Sequence, residues 1–152
     1  MDWIVNDLRQ TTTASITDIN NSPPSTSTHI KFKKVTGYSV KGVPSPDFGG
    51  FIEYTYDSDS KTIIRTDPSQ SPGSWSFNNI VIQLRDDVTH VLVDHPIFNT
   101  RLLDGSIVPI APGLVITAGN LVIEIVGKKE VKLPLSVLDV VYILKEEVYM
   151  RN

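Results

Sequence analysis

Asp94-His95-Pro96, with His90 just upstream, is the densest group of titratable side chains in the sequence. Imidazole and carboxylate are the side chains that most often hold a metal or move a proton near neutral pH. In an extended chain successive side chains alternate, so His90 and Asp94 share a face and His95 takes the other. A metal centre there would need further ligands from other strands. His90, Asp94 and His95 are therefore candidates for a metal-dependent β-barrel enzyme. The plainer reading is a strand end, because proline cannot donate to a ladder and Asp-His-Pro leads naturally into a turn.

Other chemistry finds less support. The run Asp57-Ser58-Asp59-Ser60 invites a calcium reading, but it lacks the glycine and distal glutamate of the helix-flanked calcium loop. Asp and Ser also close hairpin turns by bonding their own backbone, and that is the preferred reading. With no cysteine in the chain, disulfides, thiolate zinc sites and cysteine nucleophiles are excluded. Neither a Gly-x-Ser-x-Gly elbow nor a phosphate-cradling glycine loop occurs. Asp47, Glu53, Asp67 and Asp104 are scattered, and nothing selects a carboxylate pair. The expectation is a protein without catalytic residues and without a cofactor.

Aromatic residues offer a binding alternative. Tyr54 and Tyr56 share a strand face, and Trp75 stands in the polar loop "SPGSWSF". Together they could stack on a sugar ring, which gives a carbohydrate-binding β-sandwich module as the first alternative. The competing reading packs the tyrosines in the core with Ile52.

The chain has 152 residues, of which 40% are apolar and 20% charged, with a net charge of −3. That suits a globular domain with a real core and gives no broad attraction to nucleic acid. "MDWIVNDLRQ" has acids where a secretory leader needs bases, and no run approaches the ~20 apolar residues of a membrane helix. The expectation is a protein made in the cytoplasm with no membrane and no nucleic-acid partner.

Two regions must position whatever functions. Residues 1–28 begin with a short helix in which Trp3, Ile4 and Leu8 fall on one face. It is too short to stand alone and must dock. The polar segment "TTTASITDINNSPPSTST" follows, and it reads as an extended arm carrying that helix onto a neighbouring subunit. Residues 29–152 read as a single β domain. "HIKFKKVT" alternates as a half-buried strand that ends or bulges at Lys34 and Val35. "GYSVKGVPSPDFGG" reads as a loop or edge segment, and "FIEYTYDSDSKTIIRT" as a hairpin turning at Asp57–Ser60.

Register then predicts two further units. Asp86-Asp87 as a turn pairs Ile82 with Val91 and Ile80 with Val93. In "APGLVITAGNLVIEIVGKKEVKLPL", a Gly119-Asn120 turn pairs Ile116 with Ile123, and a loop at Gly127-Lys128-Lys129 pairs Ile125 with Val131. That would be a three-stranded meander, with Lys132 beside Glu124 and "SIVPI" adding a strand. The ending "LSVLDVVYILKEEVYMRN" carries both helical spacing and β-branched residues. A strand over Val140–Leu144, followed by a second strand or a short terminal helix, is preferred.

Short strands and frequent turns predict an all-β protein, an antiparallel β-sandwich or β-barrel with an extended N-terminal arm. The organisation resembles that of virion building blocks such as capsid decoration, head–tail joining and tail or baseplate proteins. What the resemblance implies is a non-enzymatic assembly protein whose partners are copies of itself and other structural proteins. Its expected contact residues are Trp3, Ile4, Leu8, Tyr54, Tyr56 and Trp75.

Overall fold

The computed structural model describes residues 1–18, 20–40, 42–43, 45–67, 79–82, 90–116 and 119–150. It is mostly β, and the described residues form two antiparallel sheets and two short helices, α1 (Asp2–Leu8) and α2 (Thr13–Ile16). Among the described residues neither sheet closes on itself.

The first sheet runs in sequence order: β1 (His29–Ser39), β2 (Ser45–Asp57), β3 (Thr62–Thr66) and β4 (Asn79–Ile82). Alternation in β1 buries Ile30 and Phe32 and turns Lys31 and Lys33 outward over the Phe51 ring. The pairing with β2 shifts register between Lys33 and Val35, at the predicted bulge, and again before Gly37. Beyond it the chain stays in strand, with Tyr38 facing Pro46, so the glycine- and proline-rich stretch is largely ladder rather than loop. Pro46 is tolerated because a proline needs only a position where its missing N–H is not called for.

β2 and β3 form the expected hairpin. Asp57 Oδ1 accepts from the Asp59 N–H at 2.9 Å, and Ser60 Oγ donates to Asp57 Oδ2 at 2.6 Å. This is a turn held by its own side chains.

The second sheet is built around β8 (Asn120–Leu133), a strand of 14 residues. One of its edges carries β9 (Ser136–Tyr149) along its whole length. The other carries β6 (Phe98–Arg101) against Leu121–Ile123 and β5 (His90–Leu92) against Gly127–Lys129. β7 (Ile107–Pro109) completes the sheet beside β6, as the predicted "SIVPI" strand.

Here the register predictions are corrected. β4 pairs with β3 while β5 pairs with β8, so the strands around Asp86-Asp87 join different sheets. The turn itself lies outside the described residues. Gly119 does take a left-handed backbone, φ +70°, but it launches β8 instead of closing a hairpin. Gly127 lies mid-strand opposite Tyr142, and the reversal comes at Pro134-Leu135. β9 is one strand with no terminal helix, and Glu124 faces Lys145, not Lys132. The physical reason is length. A three-stranded meander would pair only short runs, whereas β9 offers β8 an unbroken antiparallel partner for all 14 of its residues.

Residues 1–28 are not a projecting arm. Ile4, Leu8 and Ile16 are fully buried in one core with Ile30, Phe32, Phe98, Leu121 and Val148, so both sheets and α1 share it. Each such burial contributes roughly 1.5–3 kcal/mol. The helix meant for a neighbouring subunit docks on its own chain.

The polar segment has a structural task that composition hides. The edge of β1 not used by β2 presents free backbone groups at Lys31, Lys33 and Val35. The Lys31 N–H donates to Ser25 Oγ at 3.2 Å and the Lys33 N–H to Ser15 Oγ at 2.7 Å. Asn21 Nδ2 donates to the Lys31 carbonyl at 3.0 Å, and Thr11 Oγ1 to the Lys33 carbonyl at 2.7 Å. The Val35 N–H reaches the Gln10 carbonyl at 2.6 Å. Serine, threonine and asparagine thus stand in for a neighbouring strand and close an edge that would otherwise invite pairing.

Candidate assembly surface

Two places on the molecule were open to function: the cleft around Asp94-His95-Pro96 and the β8–β9 hairpin. After β5 the chain still follows β8, with the Val93 N–H on the Val126 carbonyl at 2.8 Å. It rejoins where the Glu124 N–H meets the Ile97 carbonyl at 2.9 Å. Asp94, His95 and Pro96 are the detour between, as a proline near a strand end requires. The detour leaves an open cleft of about 360 Å³ lined by Ser27, Thr28, Tyr56, Ser58 and these three residues.

Its titratable groups are already engaged. Asp94 receives Lys61 Nζ at 2.8 Å and the Tyr56 hydroxyl at 2.9 Å. Lys61 first, and Tyr56 second, hold the Asp94 carboxyl below the ordinary carboxylate range. Glu124 accepts Lys145 Nζ at 2.9 Å and lies 2.9 Å from His95 Nε2. Lys145 in particular holds Glu124 low as well. A general acid working near neutral pH needs a carboxyl pushed up, and both of these are pushed down. The His90 side chain is outside the described set. Among the described residues no group of three or more His, Asp or Glu is placed to hold a metal ion.

The predicted contact residues divide. Ile4, Leu8 and Tyr54 lie in this chain's own core, and Tyr56 is buried there too except where it lines the Asp94 cleft. Tyr54 stacks with Phe32 at 6.4 Å between ring centroids and donates its hydroxyl to Asp7 at 2.7 Å. Burial, reinforced by Asp7, pushes the Tyr54 phenol up. Trp3 remains 61% exposed. Trp75 lies outside the described residues.

The hairpin is the feature the sequence reading missed. Its base is fastened. Val148 and Met150 are buried, and Arg101 of β6 grips Glu147 with Nε at 3.0 Å and Nη2 at 2.9 Å. Arg101 above all holds the Glu147 carboxyl low, and the Asn120 amide donates to it too.

Toward the turn the covering stops. On the face that carries Val148, Leu138, Tyr142 and Leu144 are exposed. On the opposite face Val137 and Ile143 are 57% and 62% exposed, with Val141 between them, and Leu135 in the turn is fully exposed. The outer face also carries two ion pairs, Lys128–Asp139 at 2.6 Å and Glu124–Lys145.

A one-sided sheet alternates polar and apolar residues. "VLDVVYIL" does not alternate, and that run was the signal available in the sequence: a strand apolar on both faces needs cover on both. A smaller group of exposed apolar residues, Tyr38, Val40, Val43 and Phe48, sits where β1 and β2 meet. No helix among the described residues is long and apolar enough to cross a membrane.

No known family matches this chain, and no characterised protein or solved structure does either.

Proposed function

We propose that this is a non-enzymatic structural protein that acts through subunit–subunit contacts, with a virion as its setting in capsid decoration, head–tail joining or a tail or baseplate. In this reading the two sheets are the layers of a sandwich, and the partners are copies of the chain and other structural proteins. The observation that carries it is the β8–β9 hairpin, anchored at its base, whose β9 strand beyond it exposes apolar residues at positions of both faces, Leu138 and Leu144 on one and Val137, Val141 and Ile143 on the other. Folding alone gives no reason to keep such a surface in water. The Asp94 carboxylate of the cleft, already paired with Lys61 and Tyr56, weighs on the same side.

Sedimentation or light scattering over a wide concentration range tests the reading. The expected result is a defined oligomer, and a monomer throughout would overturn it. For the virion setting, recovery of the chain in assembled particles alongside capsid, portal or tail proteins is expected. Recovery only as free protein would remove that setting.

A further inference from the structure

We propose that the cleft at Asp94-His95-Pro96 is a binding site for a neutral saccharide, recognised through its hydroxyls. This goes beyond the assembly reading and does not depend on it.

The cleft lies at a seam. Tyr56 and Ser58 come from the β2–β3 hairpin of the first sheet, and Ser27 and Thr28 from the segment entering β1. Asp94, His95 and Pro96 come from the detour in the second sheet. Its volume of about 360 Å³ falls within the ~300–1,000 Å³ of small-molecule sites. The walls are tied to one another. Lys61 Nζ and the Tyr56 hydroxyl reach Asp94 across the seam, and the Ile97 and Phe98 N–H groups both donate to the Ser27 carbonyl at 2.8 Å. A cleft braced in this way holds its polar groups in place before a ligand arrives, which lowers the ordering cost of binding.

What those groups still lack defines the ligand. Among the described residues the hydroxyls of Ser27, Thr28 and Ser58 make no hydrogen bond. Asp94 accepts from Lys61 at both oxygens, at 2.9 and 2.8 Å, and from Tyr56 at Oδ1. A carboxylate has roughly four acceptor positions, so Oδ2 keeps one open. His95 turns Nε2 to Glu124, and its Nδ1 has no partner among the described residues. A hydroxyl both donates and accepts, so a polyol can answer the carboxylate, the serine and threonine hydroxyls, and Nδ1 in whichever tautomer His95 adopts.

Charge narrows the class. Lys61 neutralises Asp94, and the Glu124 carboxylate beside His95 is held by Lys145. An anionic ligand would meet the Asp94 carboxylate and a cationic one the Lys61 ammonium, neither with an uncompensated partner to gain. An apolar ligand would strip water from groups it cannot bond. A neutral sugar meets none of these penalties, and Pro96 gives the C–H face of its ring an apolar contact. Recognition here runs through hydroxyls and not through a platform of Tyr54, Tyr56 and Trp75.

Saturation-transfer NMR on the full chain tests this in whatever oligomeric state the chain adopts. The probes are the methyl glycosides of glucose, galactose, mannose and N-acetylglucosamine. At least one is expected to bind with a dissociation constant on the order of 1 mM. A uronic acid and an amino sugar, which add a charge to the same ring, are expected to bind about tenfold more weakly. Ser58→Ala and Asp94→Asn are each expected to weaken binding by about tenfold, the loss of one hydrogen bond to a held group. Ser136→Ala, outside the cleft, is expected to leave it unchanged. Ser58 is exposed and bonds to nothing described, so its loss removes no fold contact, and an unchanged unfolding midpoint confirms this. No transfer to any of the neutral glycosides, tighter binding of a charged analogue, or binding indifferent to both Ser58→Ala and Asp94→Asn overturns the proposal. The assembly reading stands or falls separately, on sedimentation.

Discussion

Asp7 of α1 and Arg65 of β3, 58 residues apart in the chain, meet in the core with carboxylate and guanidinium Nε at 2.7 Å. Lys34 adds a second cation at 2.5 Å and Tyr54 a hydroxyl at 2.7 Å, so the carboxylate is fully engaged. Ile4 and Leu8 make the helix stick, while Asp7 fixes where on the sheet it sits. Hydrophobic burial has no direction, whereas an ion pair has one.

Removing the anion leaves a buried guanidinium with the longer Asp67 contact, 3.4 Å, in its place. Asp7→Ala is expected to cost about 3–5 kcal/mol. Urea unfolding measures this as a lower midpoint at unchanged slope. A variant as stable as the parent would show that the pair does not anchor the helix.

Acid should loosen the same contact. Burial pushes the Asp7 carboxyl up, but the bonds from Arg65, Lys34 and Tyr54 outweigh it and hold it below its ordinary value. Its folded pKa is thus depressed. The stabilisation is complete above the unfolded value of roughly 3.9 and is lost as pH falls through the lower folded one. Stability is expected to decline below about pH 4, and Asp7→Asn to flatten that decline. Asp94, Glu124 and Glu147 are also held low and act in the same direction, but solvent and salt screen them. Unfolding midpoints across pH 2–7 for parent and variant separate the core term from the surface ones.

The covered edge of β1 makes a separate prediction. Asn21 Nδ2 bridges the Ser15 and Lys31 carbonyls, both at 3.0 Å. Asn21→Ala is expected to cost about 1–3 kcal/mol. It should speed amide exchange at Lys31 and Lys33 before it speeds exchange in β2. Uniform acceleration across the sheet would mean that the segment acts on the whole fold and not as an edge cover.

Along the hairpin, position should decide the outcome of a substitution. Leu121 at the base is fully buried, and Leu121→Ala is expected to cost about 2–5 kcal/mol. Leu138 near the turn is 53% exposed, and Leu138→Asp is expected to stay within about 0.5 kcal/mol of the parent while weakening association. A Leu138→Asp protein that associates as the parent does would show that the tip is not the contact.

Some of this was legible in the residues and some was not. The β1 alternation, its bulge and the β2–β3 turn follow from local pattern, because the partner strand is close and the turn holds itself. The pairing of β8 was misread since apolar-on-apolar matching is degenerate. Ile123 satisfies the test against Ile116 or Leu133, yet its partners are Phe98 and Glu146. Ser15, Asn21 and Ser25 read as linker because a side chain that closes a strand edge looks, without the edge, like any other polar residue. Trp3 was grouped by helical spacing with Ile4 and Leu8, but the docked helix buries those two and leaves Trp3 exposed. Tyr142 and Ile143 were overlooked because the run was weighed as helix against strand and not for how many faces it needed covered.

The covered edge of β1 and the long strand β9 also differ in when they come into being. Every side chain that closes β1 lies within about 25 residues of the group it bonds, so the cover can form as soon as β1 itself has been synthesised. β9 follows roughly 100 residues later, about 5–20 s at typical elongation rates. By then the first sheet has had time to fold with its edge closed, and β9 enters solution last of the two. Under the proposed assembly role, that schedule would keep a nascent chain from its partners until it has a folded body with which to meet them.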